Sequence, residues 1–364
     1  MLPTVVLRCV DLDANVSFFV DRLGFRVHLV RPADDPRSIV VDDGSLAVEL
    51  RRSDVDTPAD LVLAPRDGEG ASTDPTRAPN GTTVSFHPRA DRSPGDVDLP
   101  DSRPSLSVVA ADDGDFGSGR AGMAYRDLLP DRWGGRFIAS HITIADGGDV
   151  ADWVHFHRIR FQMIFVAAGW VDLVYEDQGE PFRAEAGDCV LQPPGIRHRV
   201  LRSSPGLEVV EIGCPAEHDT MADHDLALPT GRVDPDRDFD GQRFVRHVAS
   251  TAEATPWIVD GWTVRDTGIG EATGGLAGAV VLTARPGDSE ASGPSSAVTH
   301  DDEFVMLVGL SGRACVHVAD SSTVEMTPRS SIALPPGAVW SWSEVDDGHE
   351  ALLVSLGADA VRPA

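Results

Sequence analysis

The stretch Gly148-Asp149-Val150-Ala151-Asp152-Trp153-Val154-His155-Phe156-His157-Arg158-Ile159-Arg160-Phe161-Gln162-Met163-Ile164-Phe165-Val166-Ala167-Ala168-Gly169 carries two histidines one residue apart and a glutamine shortly after them. In an extended strand, residues i and i+2 point to the same face. His155 and His157 therefore share a side, as two adjacent ligands of one metal ion require. The residues between His157 and Gln162 are enough for a tight turn onto a neighbouring strand. Downstream, Gly187-Asp188-Cys189-Val190-Leu191-Gln192-Pro193-Pro194-Gly195-Ile196-Arg197-His198 ends in a third histidine. The turn at Pro193 and Gly195 starts a further strand and aims this imidazole from another direction. Three imidazoles and one amide oxygen leave one or two positions open on an octahedral ion, and an open position separates catalytic from structural sites. The expected ligand set is His155, His157, Gln162 and His198.

An internal repeat extends this reading. Ser330-Ser331-Ile332-Ala333-Leu334-Pro335-Pro336-Gly337-Ala338-Val339-Trp340 aligns with the His198 segment on its Pro-Pro-Gly, which sets Trp340 opposite His198. Phe304-Val305-Met306-Leu307-Val308-Gly309-Leu310-Ser311-Gly312 aligns with residues 161–169. The same β-unit thus occurs twice. In the second copy the ligand positions read Val298, His300, Val305 and Trp340, and one histidine is too few to hold a metal. That copy is expected to pack against the first as a built-in pseudo-dimer; an apolar pocket lined by Trp340 and Trp342 is the alternative.

The first segment, with Gly148, the His155-x-His157 pair, Gln162 and Gly169, resembles the first cupin motif. The second, with Gly187, Pro193-x-Gly195 and His198, resembles the second cupin motif. The resemblance implies a double-stranded β-helix (jelly-roll) barrel, and the repeat implies a bicupin. Two positions depart from the pattern: Gln162 stands where the family usually has Glu, and Arg202 where it usually has Asn. A neutral amide leaves the site about one charge unit more positive than a carboxylate would. Three-histidine cupins without a carboxylate include iron-dependent dioxygenases, whereas a His, His, Gln, His set also resembles cupins that open or isomerise sugar-acid rings. The resemblance implies one divalent ion, with iron(II) first and zinc, nickel or manganese as alternatives. It also implies a small, oxygen-rich substrate.

Other residues could line the same pocket or touch substrate. His141 lies on an apolar strand, residues 137–144, that would cross the barrel. Arg160, like Arg158, flanks the turn between ligands and could clamp an anion. Tyr175, Glu208 and Glu211 are acid/base candidates if they face inward. Glu217 and His218 fall in a polar run, residues 217–240, expected as a surface connection.

Residues 1–115 open as strand, helix and three strands. The helix is expected over residues 14–23 with Asp13 as N-cap and Gly24 as stop, and the strands near 25–30, 38–41 and 46–50. Much of 54–104 is expected to be loop. The opening residues 5–14, residues 18–25 and the run Pro79 to Phe86 resemble a vicinal-oxygen-chelate module, a βαβββ unit found in glyoxalases and antibiotic-resistance proteins. Its ligand positions fall at Thr4, Glu49 and Ser85. Only Glu49 is a carboxylate, so the module is expected to lack a metal and to serve packing, dimerisation or as a lid.

Composition narrows the classes. The 364 residues are 41% hydrophobic and 24% charged, ample for several buried cores. A net charge of −27 speaks against nucleic acid and anionic membrane as partners, because both need clustered cations. The chain contains no lysine, which removes Schiff-base chemistry. Cys9, Cys189, Cys214 and Cys315 lack metal-type spacing and read as free thiols, Cys9, Cys189 and Cys315 as small buried hydrophobes. No apolar run reaches the length of a membrane span, and no signal peptide opens the sequence, so the cytoplasm is expected. The full expectation is a mainly β chain: a βαβββ module over 1–115, a metal-binding cupin over 116–235 and a degenerate cupin over 236–364. A homodimer is allowed for. The function read first is an iron-dependent dioxygenase; a redox-neutral isomerase, lyase or hydrolase, or a non-catalytic binding cupin, are the alternatives.

Overall fold

The computed structural model describes residues 2–32, 35–63, 75–86, 93–285, 294–357 and 361–364. It comprises two compact units, Met1–Asp91 and Arg92–Ala364.

In the first unit, β1 (Thr4–Cys9), α1 (Leu12–Ser17), β2 (Arg26–Arg31), β3 (Ser38–Asp42) and β4 (Ala47–Arg52) form a βαβββ element. The sheet order is β1-β4-β3-β2, with β1 parallel to β4. The helix starts earlier than expected. Asp11, not Asp13, is the N-cap, its carboxylate accepting from the Ala14 amide at 2.9 Å. After Ser17 the chain winds on as a π-turn, Phe18–Arg22, which buries the adjacent rings of Phe18 and Phe19 together. Gly24 then reverses the chain at φ 65°, a conformation open to glycine. Leu7, Cys9, Phe19, Phe25, Val41, Val48 and Leu50 make the core. Glu49 lies on the opposite face, where Ser38 Oγ and Arg51 Nε donate to it at 2.6 and 2.9 Å. Within the stretch expected to be mostly loop, Asp60–Leu63 pairs parallel with Thr83–Phe86, and Thr76–Arg77 adds antiparallel.

The second unit is built on strand parity. In Phe161–Ala168, Phe161, Met163 and Phe165 belong to one core, while Ile164 and Val166 belong to another. Phe304–Ser311 repeats the pattern, with Phe304, Met306 and Val308 on one face and Val305 and Leu307 on the other. The shared face is the interior between two barrels, where the Phe137 and Phe304 rings stack at 4.4 Å. The other face of each strand lines its own barrel.

The first barrel has one sheet containing Ile138–Ile144, Leu207–Cys214, Phe161–Ala168 and Cys189–Leu191. Its opposing sheet runs Phe182–Glu185, Trp170–Tyr175, His198–Ser203, His155–Arg158 and Asp219–Ala222. The second barrel repeats this plan with Gly278–Ala284, Glu350–Leu356, Phe304–Ser311 and Ser331–Leu334 facing Ala314–Val318, Val339–Ser343 and Val298–Thr299. The repeat extends to register. His155 pairs with His198 in one barrel and Val298 with Trp340 in the other. Both long strands carry a bulge at the matching place, between Val166 and Ala168 and between Gly309 and Ser311.

The barrels also exchange edge strands. Ser107–Val109, which was expected with the N-terminal module, pairs with Ser331–Leu334 of the second barrel. Val245–His247, expected with the second barrel, pairs with Cys189–Leu191 of the first. The four cysteines are free; three are buried, and Cys315 is only half-buried. Among the described residues no helix is long and apolar enough to cross a membrane.

Candidate metal centre

The pairing of His155 with His198 across two antiparallel strands sets their rings 4.2 Å apart, centroid to centroid. His157, two residues along, lies 5.2 Å from His155 and 5.3 Å from His198. Each ring has its Nδ1 engaged. Nδ1 of His155 lies 2.9 Å from the Trp153 carbonyl and that of His198 lies 3.0 Å from the Ile196 carbonyl. Nδ1 of His157 lies 3.0 Å from Thr220 Oγ1. The carbonyl partners of His155 and His198 require a proton on Nδ1, which places the lone pair on Nε2, the arrangement that metal-binding histidines require. One ligand atom from each of the three lies within 4.8 Å of those of the others, and all three residues are buried.

Burial holds His157 and His198 well below the usual histidine range, and the neighbouring imidazoles push the same way. His155 is lowered by burial first and the Arg120 guanidinium second. The three rings are therefore neutral near pH 7, which is the metal-binding form.

Gln162 projects into the same barrel. It pairs with Gly213 on the strand that carries Glu211, and its amide donates to the Glu211 carboxyl. Its Oε1 is buried with no hydrogen-bond partner among the described residues. An orphaned buried carbonyl oxygen costs about 1–3 kcal/mol, and a cation would satisfy it. The donor chemistry thus fits a divalent ion: three neutral imidazoles and one unpaired amide oxygen.

The structure sorts the remaining sequence candidates. Glu211 lines the cavity beside His157 and His198, and burial raises its pKa against the opposing pull of Arg120 and Gln162. Tyr175 stacks behind His198 at 5.3 Å, and its hydroxyl accepts from Gln192 at 2.8 Å. The other two are not brought to the histidines. His141 shares strand parity with Ala139, which faces the core between the barrels, so its ring turns away from the cavity and meets Glu208 at 3.1 Å. Glu208 in turn binds Arg329 of the second barrel at 2.8 Å. Arg160 reaches Glu303, also of the second barrel, at 3.2 Å. Both residues tie the barrels together.

Sequence reasoning missed three groups. Arg120, on a short turn before the first barrel strand, pairs with the buried Asp152 carboxylate, and its Nη2 lies 2.6 Å from His155 Nε2. His218 and Thr220, assigned to a surface connection, come to the cavity because Asp219–Ala222 pairs with the His155–Arg158 strand. The His218 ring stands 5.2 Å from that of His157. None of these has motif spacing. An apolar-polar alternation weak enough to look like loop hid the edge strand.

In the second barrel Trp340 is packed into the core at the place of His198, and His300 lies 5.9 Å from it in edge contact. Trp342 packs with Trp262 at 4.8 Å. A cleft of about 590 Å³ touches Trp262 and Trp342 but not Trp340.

No family model matches the chain, and no curated protein matches it. Among solved structures, it is similar to oxalate decarboxylase of Bacillus subtilis, studied for its Mn(II) centres, with 12% identity and a TM-score of 0.53 over 78% of this chain and 87% of that one. Oxalate decarboxylase of Lactobacillus farciminis, solved as a formate complex, matches with 15% identity and a TM-score of 0.51 over 73% of this chain and 91% of that one. At such identity the likeness is one of fold. The fold of the larger unit is that of the cupins, in their two-barrel form.

Proposed function

We propose that the chain is a mononuclear metalloenzyme acting on a small molecule, with its single centre in the first barrel. His155, His157 and His198 would hold the ion, with Gln162 as a weaker, exchangeable fourth ligand. The observation that carries this reading is the set of three buried imidazoles, each with Nδ1 engaged, beside an orphaned amide oxygen. When bound, a divalent ion would supply Lewis acidity or activate oxygen. The neutral donor set would leave its double charge undiminished. Around it, Thr220 and the two backbone carbonyls fix the rings, Glu211 fixes the Gln162 amide, and Tyr175 backs His198.

Iron(II) and a dioxygenase reaction are the first reading, supported by the carboxylate-free histidine set and a largely aliphatic cavity wall. A redox-neutral reaction with zinc, nickel or manganese is the second. It is favoured by Glu211, a buried carboxyl that lines the cavity and could carry a proton to or from substrate. The second barrel would be a packing partner without metal. The βαβββ element, with its vicinal-oxygen-chelate-like strand order, would serve packing or dimerisation. A cytoplasmic location accords with the sequence.

Elemental analysis of protein purified without added metal separates the two reactions. Iron, with oxygen uptake on catechols, thiols or β-diketones, supports the first. Zinc, nickel or manganese with no oxygen uptake across that panel supports the second.

A further inference from the structure

The cavity of the first barrel encloses about 400 Å³, in the range of small-ligand sites. Its lining changes character along the strands. On Leu207–Cys214 the inward positions run Glu211, Val209, Leu207. On His198–Ser203 they begin His198, Val200, and on Phe161–Ala168 they run Gln162, Ile164, Val166. Trp170–Tyr175, read backwards, gives Tyr175, Leu173, Val171. Register ties these rows together: Tyr175 pairs with His198 and Leu173 with Val200, while Ile142 of the neighbouring strand pairs with Val209. One end of the cavity is therefore polar, and from the next inward position, about 7 Å along the strands, the wall is aliphatic. A sugar acid would leave its hydroxyls unpaired against that wall, and oxalate has no apolar part to place there.

At the polar end stands Arg120. Its Nη1 is held by Asp152, whose carboxylate is fully buried, and its Nη2 points at His155 Nε2, 2.6 Å away. An ion on His155 would take that lone pair. Nη2 would then need another acceptor beside the ion. The imidazole and amide ligands are uncharged, so nothing in the ligand set offsets the ion. Glu211, the carboxyl that shares the cavity with Arg120, is engaged by the Gln162 amide; an anionic oxygen from the substrate answers both demands.

We propose that the first barrel binds an amphipathic monocarboxylate, with its carboxylate against Arg120 beside the ion and its hydrocarbon body along Ile142, Ile164, Leu173 and Val209. The release of Arg120 rests on the metal reading above; the aliphatic wall does not.

The test is calorimetric titration of the full chain with butanoate, hexanoate, octanoate, oxalate, gluconate and hexanol, with bound metal assayed in the same samples. Affinity should rise by about fourfold per methylene from butanoate upward, and oxalate and gluconate should bind more weakly than octanoate. Arg120→Gln should weaken octanoate by about tenfold or more and leave hexanol unchanged. The near-isosteric Val209→Thr should weaken octanoate more than butanoate, with the melting temperature as a check on folding. Affinity that is flat with chain length, tighter binding of oxalate or gluconate, or equal loss of hexanol and octanoate in Arg120→Gln would overturn the proposal. Should those results appear with one ion bound per chain, the metal reading stands and this one falls. Should the chain-length gradient appear in protein that takes up no ion, the metal reading and the Arg120 contact fall and the aliphatic site alone stands.

Discussion

Thr220 shows how a single hydroxyl on an otherwise exposed edge strand can matter to the centre. It meets Nδ1 of His157 at 3.0 Å, so it holds the ring and the direction of Nε2. Thr220→Val keeps the shape and removes the hydrogen bond. Metal affinity, measured by competition with a chelator, should fall about 10–100-fold while the melting temperature of metal-free protein stays nearly constant. Unchanged affinity would mean that His157 needs no such support. The buried histidines also set a pH dependence. An unfolded chain binds protons at histidine near pH 6.5, whereas burial keeps His157 and His198 deprotonated well below that. As pH falls through about 6.5, the unfolded state gains protons that the folded state refuses, so stability is lost on the acid side and none is lost above it. Each group contributes up to about 1.4 kcal/mol per pH unit in that window. The melting temperature of metal-free protein should therefore fall between pH 7 and 5.5, and less steeply in His198→Gln. An equal slope in that variant would contradict the assignment.

At the scale of elements, the matched bulges test the repeat. Gly309 occupies the bulge of the second barrel where Val166 occupies that of the first. A Cβ on Gly309 would stand 2.1 Å from the Thr327 carbonyl oxygen, a backbone atom that cannot swing aside. Gly309→Ala should therefore destabilise the protein by about 1–3 kcal/mol, read by chemical denaturation. A neutral result would show that the bulge is softer than its packing implies. The same elements explain what could be read in advance. The strands that bring His155, His157 and His198 together and the repeated β-unit were legible because motif spacing and period-2 alternation are local properties. Which face of a strand meets which core is not local. His141 and Ile142 are neighbours on one strand-like run, and strand parity against the second barrel turns His141 away from the cavity. The placement of Arg160 is not local either, since its partner, Glu303, lies 143 residues away. Arg120, His218 and Thr220 arrive at the site through strand pairing and turn geometry that leave no spacing to recognise.

At the scale of the whole molecule, the two barrels of the larger unit form one folding body. Their shared core includes Trp133, Phe137 and Phe161 from one and Phe304, Met306 and Leu352 from the other. Exchange of the edge strands Ser107–Val109 and Val245–His247 stitches the same boundary. The second barrel thus offers the first an apolar face. Phe304→Ala, far from the histidines in sequence, should cost about 3–5 kcal/mol and lower the unfolding transition of both barrels together. Separate transitions, with only the second barrel affected, would contradict a common core.

One ion per chain is expected, held in the first barrel by His155, His157 and His198. Metal content by elemental analysis, after reconstitution with each of iron(II), manganese, nickel and zinc and removal of excess, tests it most directly. The account predicts one equivalent in the native protein, almost none in His157→Ala, and one equivalent in His300→Ala. Absence of a bound ion in the native protein with all four metals, or loss of the ion in His300→Ala, would contradict it.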